Sequence, residues 1–152
     1  MATMNRRAVL GAVVASLMAP RITWAAVPSI TVHKDPNCGC CSGWIDHLRA
    51  NGFSATAIDT TTLDRVKARL GVPDELASCH TAEIEGYIME GHVPARAITK
   101  LLAERPKVRG LAVPAMPAGS PGMGGEPEAY DVIAFGDGAT RVFGRYKATD
   151  EI

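Results

Sequence analysis

Apolar and polar residues alternate along Ser29-Ile30-Thr31-Val32-His33-Lys34, which puts Ile30 and Val32 on one face and predicts a β-strand. Asp35-Pro36-Asn37 breaks the strand, and Asn37 is of a type that caps helices. From about Cys40 to Ala50 the period changes. Cys41, Trp44, Ile45 and Leu48 fall at i, i+3, i+4 and i+7, one face of a helix that Asn51-Gly52 ends. Phe53 to Ile58 reads as a second strand. Together these make a βαβ unit with cysteines at the N-terminus of its helix.

Further along, Thr61 or Thr62 caps a helix that runs to Leu70 and is closed by Gly71. Val72 to Leu76 reads as a short helical turn, and Ala82 to Ile88 as one strand with a turn near Gly91. Ala95 to Glu104 reads as a helix with Ile98, Leu101 and Leu102 inward, Pro94 at its first position and Pro106 as its stop. The apolar Gly110–Pro114 leads into a loop over 115–125, rich in proline and glycine. Tyr130–Phe135 and Thr140–Tyr146 read as strands that flank the hairpin signal Gly136-Asp137-Gly138.

The N-terminus stands apart. Asn5-Arg6-Arg7 precedes an apolar run from Ala8 to Ala19, and small residues follow at Ala25-Ala26. This is the layout of an export signal, either general secretory or twin-arginine, cleaved after Ala25 or Ala26. The run is too short to span a bilayer, which takes about 20 residues. We therefore expect residues 1–25 to be removed, leaving 26–152 as a single domain in the periplasm with no membrane span. Removal takes three arginines and no acid, so the formal net charge goes from 0 to −3. A chain without a basic stripe is not built for nucleic acid.

Export permits disulfides, yet Cys38, Cys40 and Cys41 lie within four residues, and so short a loop staples a fold poorly. Chemistry explains the cluster better. Cys38 and Cys41 have the C-x-x-C spacing of thioredoxin-like redox pairs, at a strand-to-helix junction. The helix N-terminus favours thiolate there. Cys40 adds a third sulfur, one more than a dithiol oxidoreductase needs. Clustered thiolates suit a soft ion such as Cu(I); zinc competes for four of them. Cys79 is far away in sequence. In a thioredoxin-like sheet the turn before the third strand approaches the first helix, so Cys79 could complete a four-sulfur site. It could equally be a buried thiol or half of a disulfide.

Met116 and Met123 sit in the loop, where thioethers could bind Cu(I) without deprotonation or could pack the loop against the domain. His33, His80 and His92 are each a ligand or a surface residue, and His47 reads as solvated. Trp44 and Met89 read as core.

Several segments together are distinctive: Cys38-Gly39-Cys40-Cys41 with Trp44 and His47-Leu48; Ser78-Cys79-His80-Thr81-Ala82; Gly86-Tyr87; Glu90-Gly91-His92-Val93-Pro94-Ala95; and Gly110-Leu111-Ala112-Val113-Pro114 with Met116-Pro117 and Gly119-Ser120-Pro121-Gly122-Met123. The set resembles the CopG-type family of small periplasmic proteins and covers nearly all of the chain after the signal. The resemblance implies a thioredoxin-like α/β fold, a mixed sheet flanked by helices. It also implies a link to copper resistance and a Cu(I) cluster on Cys38, Cys40, Cys41 and Cys79. Two positions depart from the family's habit: Ala115 stands where Gly is usual before the first loop methionine, and Gly124 where an acid is usual after the second.

The expectation is thus an α/β, thioredoxin-like domain with a C-terminal β-hairpin addition. It binds copper ions, in one or several nuclei, through the four cysteines, with Met116, Met123, His80 and His92 as further candidate ligands, and serves copper resistance by sequestration, transfer or redox handling, with other periplasmic copper-handling proteins as candidate partners. The alternative is a periplasmic thiol–disulfide oxidoreductase using Cys38 and Cys41. A third reading is a module stapled by two disulfides.

Overall fold

A computed structural model describes residues 26–136 and 138–152; the export-signal expectation for residues 1–25 lies outside them. The elements follow in the order β1 Ser29–Lys34, α1 Gly39–Ala50, β2 Ser54–Asp59, α2 Leu63–Leu70, a 3-10 turn Asp74–Leu76, β3 His80–Ile84, β4 Tyr87–Gly91, α3 Ala95–Glu104, β5 Gly110–Val113, β6 Ala129–Gly136, β7 Ala139–Lys147 and β8 Asp150–Glu151. The strands form one mixed sheet in the order β2-β1-β3-β4-β5-β6-β7-β8. The β1–β2 and β4–β5 pairs are parallel, each bridged by a helix, and the other pairs are antiparallel.

The period-2 pattern sorts side chains to two faces. Ile30, Val32, Ala82, Ile84, Met89, Leu111, Val113, Val132 and Ala134 meet Trp44, Ile45 and Leu48 of α1 and Ala97, Ile98 and Leu101 of α3. Ile88, Ala112 and Phe135 point the other way, to Leu70, Val72 and Leu76 from α2 and the turn after it. Full burial of an Ile or Leu such as Leu48 or Ile98 contributes about 1.5–3 kcal/mol.

The sequence runs two strands together over 82–88. The structure folds that stretch into a hairpin, because Glu85 and Gly86 both take positive φ, 46° and 87°, and turn the chain in two residues. Glutamate gives no turn signal of its own. Pro94 is the N-cap of α3 rather than its first helical residue, which is Ala95. The expected C-terminal hairpin joins the sheet beside β5, and its Tyr130, Val132, Ala134 and Tyr146 belong to the same core as α1 and α3.

Candidate metal centre

The turn after β1 presents the first three cysteines. Asp35 organises it: its carboxylate accepts the Asn37 N–H at 2.8 Å and its carbonyl accepts the Cys38 N–H at 3.1 Å. Asn37 does not cap the helix as expected. The N-cap is Cys38, in extended conformation (φ −77°, ψ 95°) and with no side-chain cap bond. The first turn of α1 carries no acidic residue, so no carboxylate of the helix's own first turn offsets the positive dipole end beside the cysteines. Cys41 is fully buried, and Trp44, one turn on, is fixed by an indole N–H bond to the Val93 carbonyl at 2.8 Å.

Cys79 arrives from the segment between the 3-10 turn and β3. The sulfurs of Cys38, Cys40, Cys41 and Cys79 all lie within 4.8 Å of one another. Cys38 and Cys41 are joined as a disulfide, while Cys40 and Cys79 are free thiols. Cys40 Sγ is 3.5 Å from Cys38 Sγ and 4.0 Å from Cys79 Sγ. The structure thus brings together the four cysteines the sequence singles out, in a half-oxidised state with one bond rather than two.

A second group shares Cys79: its sulfur and ring nitrogens of His80 and His92 also lie within 4.8 Å of one another. His92 Nδ1 is 2.7 Å from the Pro121 carbonyl, which can only accept, so Nδ1 carries the proton. Nε2 keeps its lone pair, 3.1 Å from Cys79 Sγ. A backbone carbonyl orienting the far nitrogen is the usual support of a metal-binding histidine. His80 places Nδ1 3.3 Å from the same sulfur, packs against Trp44 with the rings tilted by 37°, and has a buried Nε2 with no partner. Burial, then the neighbouring His92 and Lys67, holds its pKa well below the imidazole range. Burial lowers that of His92 as well. Burial pushes the Cys79 thiol up to about 12, with Cys40 adding to the shift. Without metal the trio is therefore a thiol beside two neutral imidazoles, and a soft cation would replace the thiol proton.

The 115–125 segment is hydrogen-bonded rather than loose: Met123 N–H bonds the Ser120 carbonyl at 2.8 Å and Gly119 N–H the Gly124 carbonyl at 3.1 Å. Gly122 (φ +89°) lies flat on α1, where a Cβ would stand 2.5 Å from both the Cys40 carbonyl and the Trp44 nitrogen. Met123 follows directly and is half-buried. Met116 is 40% exposed. Ala115, at the position where the resemblance leads one to expect Gly, has φ 65°, a conformation glycine holds without strain.

Two histidines go elsewhere. His33 bonds Glu83 at 3.2 Å and is in neither group. His47, expected in solvent, is half-buried, and its Nε2 accepts the Ala95 N–H at 3.1 Å at the start of α3. The sequence reading also misses Glu90 and Lys67, a buried ion pair beside Ser78. A charge inside the otherwise apolar run Ile88-Met89-Glu90-Gly91 was the available signal.

A family profile described as "Protein of unknown function, DUF411" matches residues 76–123, which include Cys79, His80, His92, Met116 and Met123. No curated protein matches the chain. Two solved structures do. "Copper resistance protein copG- Form 2" is 48% identical, with TM-score 0.75, covering 80% of this chain and 99% of its own. "Copper resistance protein copG- Form 1" is 50% identical, with TM-score 0.73, covering 78% and 96%. With identity at this level over almost the whole of those structures, and with the cysteines converged as described, the chain belongs to the CopG copper resistance protein family.

Proposed function

We propose that this protein binds Cu(I) through Cys38, Cys40, Cys41 and Cys79 in the periplasm and serves copper resistance by sequestration, transfer or redox handling of the ion. The observation that carries this reading is the approach of four sulfurs, from stretches of chain about 40 residues apart, to within 4.8 Å. Thiolates favour Cu(I) over hard cations. Because Cys79 belongs to both the sulfur group and the His80–His92 group, it is placed to bridge ions, which supports more than one Cu(I) per chain. Met123, and Met116 beyond it, are candidate thioether ligands on the loop that covers α1. The βαβ unit with cysteines at its helix tip supports the reading of residues 26–152 as a single thioredoxin-like domain. The charged, apolar and small-residue stretches of 1–25 support export.

Loading requires the Cys38–Cys41 bond to be open: two electrons from an external thiol, which also brings the two protons, or from a phosphine, which ends as its oxide while water supplies the protons, convert it to two thiols, whose protons the metal displaces. Anaerobic titration of the reduced protein, with elemental analysis for copper and zinc, should give more than one Cu(I) per chain. The Cys38→Ser/Cys40→Ser/Cys41→Ser variant should lose that capacity; full retention rules the reading out.

The Cys38–Cys41 disulfide at a helix N-terminus favours a second reading, a thiol–disulfide oxidoreductase in which Cys38 attacks and Cys41 resolves. Turnover of a disulfide substrate without metal would support it. Cys40, 3.5 Å from Cys38 Sγ, argues against it, since it offers an off-pathway partner.

A further inference from the structure

Glu90 is fully buried on β4, where it pairs in register with Thr81 of β3. One carboxylate oxygen accepts from the Lys67 ammonium of α2 and from the Ser78 backbone N–H at 2.5 Å; the other accepts from the Thr81 hydroxyl at 2.6 Å. Lys67 Nζ also donates to Thr81 Oγ1 at 2.9 Å. Glu90 therefore holds the chain at Ser78 and at Thr81, on both sides of Cys79-His80, and it stands two residues before His92. Gly91 closes the arrangement: at φ +69° a Cβ there would lie 2.6 Å from Ser78 Oγ and from the Val113 carbonyl. A buried ion pair is a poor source of stability, since well-packed apolar residues often replace one without loss. What this pair fixes is the path of one short segment, the one that carries a sulfur and an imidazole to the cysteine cluster. Lys67 gives α2, which contributes no candidate ligand, a part in the site.

We propose that Glu90, held by Lys67, is a positioning residue that sets Cys79 in ligating distance of the other three cysteines. The proposal rests on the copper reading above for its consequence, and on the hydrogen bonds alone for its geometry.

Two double variants separate positioning from stability. Lys67→Met/Glu90→Gln and Lys67→Met/Glu90→Leu both remove the buried charges, but only glutamine keeps an acceptor for the Ser78 N–H. In the reduced full chain, Cu(I) competition titration should find the Gln variant near the parent and the Leu variant about 10- to 100-fold weaker, the range seen when the groups that orient metal ligands are lost. Adding Cys79→Ser should weaken the Gln variant to the same level and leave the Leu variant unchanged. Equal Cu(I) affinity in the Gln and Leu variants overturns the proposal. A metal-free readout covers the case in which the parent binds no copper, a result that sinks the copper reading instead. With Cys38, Cys40 and Cys41 changed to Ser, iodoacetamide should alkylate Cys79 faster in the Leu background than in the Gln background; equal rates overturn the proposal. If the Leu variant does not fold, Ser78→Pro removes the held N–H and leaves the ion pair whole. It should raise the alkylation rate of Cys79, and an unchanged rate is contrary.

Discussion

At the scale of single residues, the side chains near the cluster do two different jobs, and histidine shows both. His92 keeps the Nε2 lone pair toward Cys79 because its Nδ1–H donates to the Pro121 carbonyl. His47 spends its lone pair on the backbone of α3. That second role makes part of the fold's stability depend on acid. Burial lowers the pKa of His47 below its ordinary 6.5, so below pH 6.5 the unfolded chain binds the proton more readily than the folded one. The stabilisation is whole above 6.5 and is lost as pH falls toward the lowered value. His47→Gln retains an acceptor that does not titrate. In thermal melts of the metal-free protein, the variant should lose less stability than the parent between pH 7 and pH 5. The difference should be about 1 kcal/mol, the usual worth of a helix cap. Parallel curves would remove His47 from the account. The convergence of the four cysteines was legible because three thiols in four residues have few ordinary structural uses; His80 and His92 were not separable from His33, which the sequence treats alike and the structure leaves out of both groups. His47 and Glu90 were not legible, because a polar residue's partner across a fold leaves no trace in local periodicity.

At the scale of elements, α1 and the 115–125 segment meet backbone to backbone. A Cβ on Gly43 would stand 3.1 Å from Gly122 Cα, and one on Gly122 would strike Cys40 and Trp44. Glycine at both positions is what lets the methionine-bearing segment lie on the helix tip. Gly122→Ala should therefore lift it, at a cost of at least about 1–2 kcal/mol from the left-handed backbone alone. If Met123 is a ligand, Gly122→Ala and Met123→Ala should each weaken Cu(I) binding, and the double variant should be no weaker than the worse single one. Additive losses would mean that Gly122 acts on the cysteines instead. The composition of 115–125 announced a loop but not a docked one, since proline and glycine mark where regular structure stops and not what the chain then touches. The helices and first strands were easier. Cys41, Trp44, Ile45 and Leu48 are the buried face of α1, as their spacing predicts. The β3–β4 hairpin was hidden by a turn built on Glu85, and Gly110–Val113 was too short and uniformly apolar to declare itself a strand.

At the scale of the molecule, one sheet of eight strands ties the half that carries the cysteine cluster to the C-terminal hairpin. Tyr130, Val132, Ala134 and Tyr146 pack into the core that also holds Trp44 and Leu48, so deleting residues 129–152 should strip that core and bare the edge of β5. The product should be insoluble or aggregated, as bare apolar edges are; a soluble, monomeric 26–128 fragment would show that the hairpin is dispensable. Its role as a core layer could not be read from sequence, because alternation gives a strand its two faces without naming what covers either one. The whole arrangement serves the meeting of Cys79 with the tip of α1. X-ray absorption on the reduced, copper-loaded protein tests that meeting most directly. The account predicts a copper shell dominated by sulfur with a second copper nearby, whereas a shell of nitrogen and oxygen alone would contradict it.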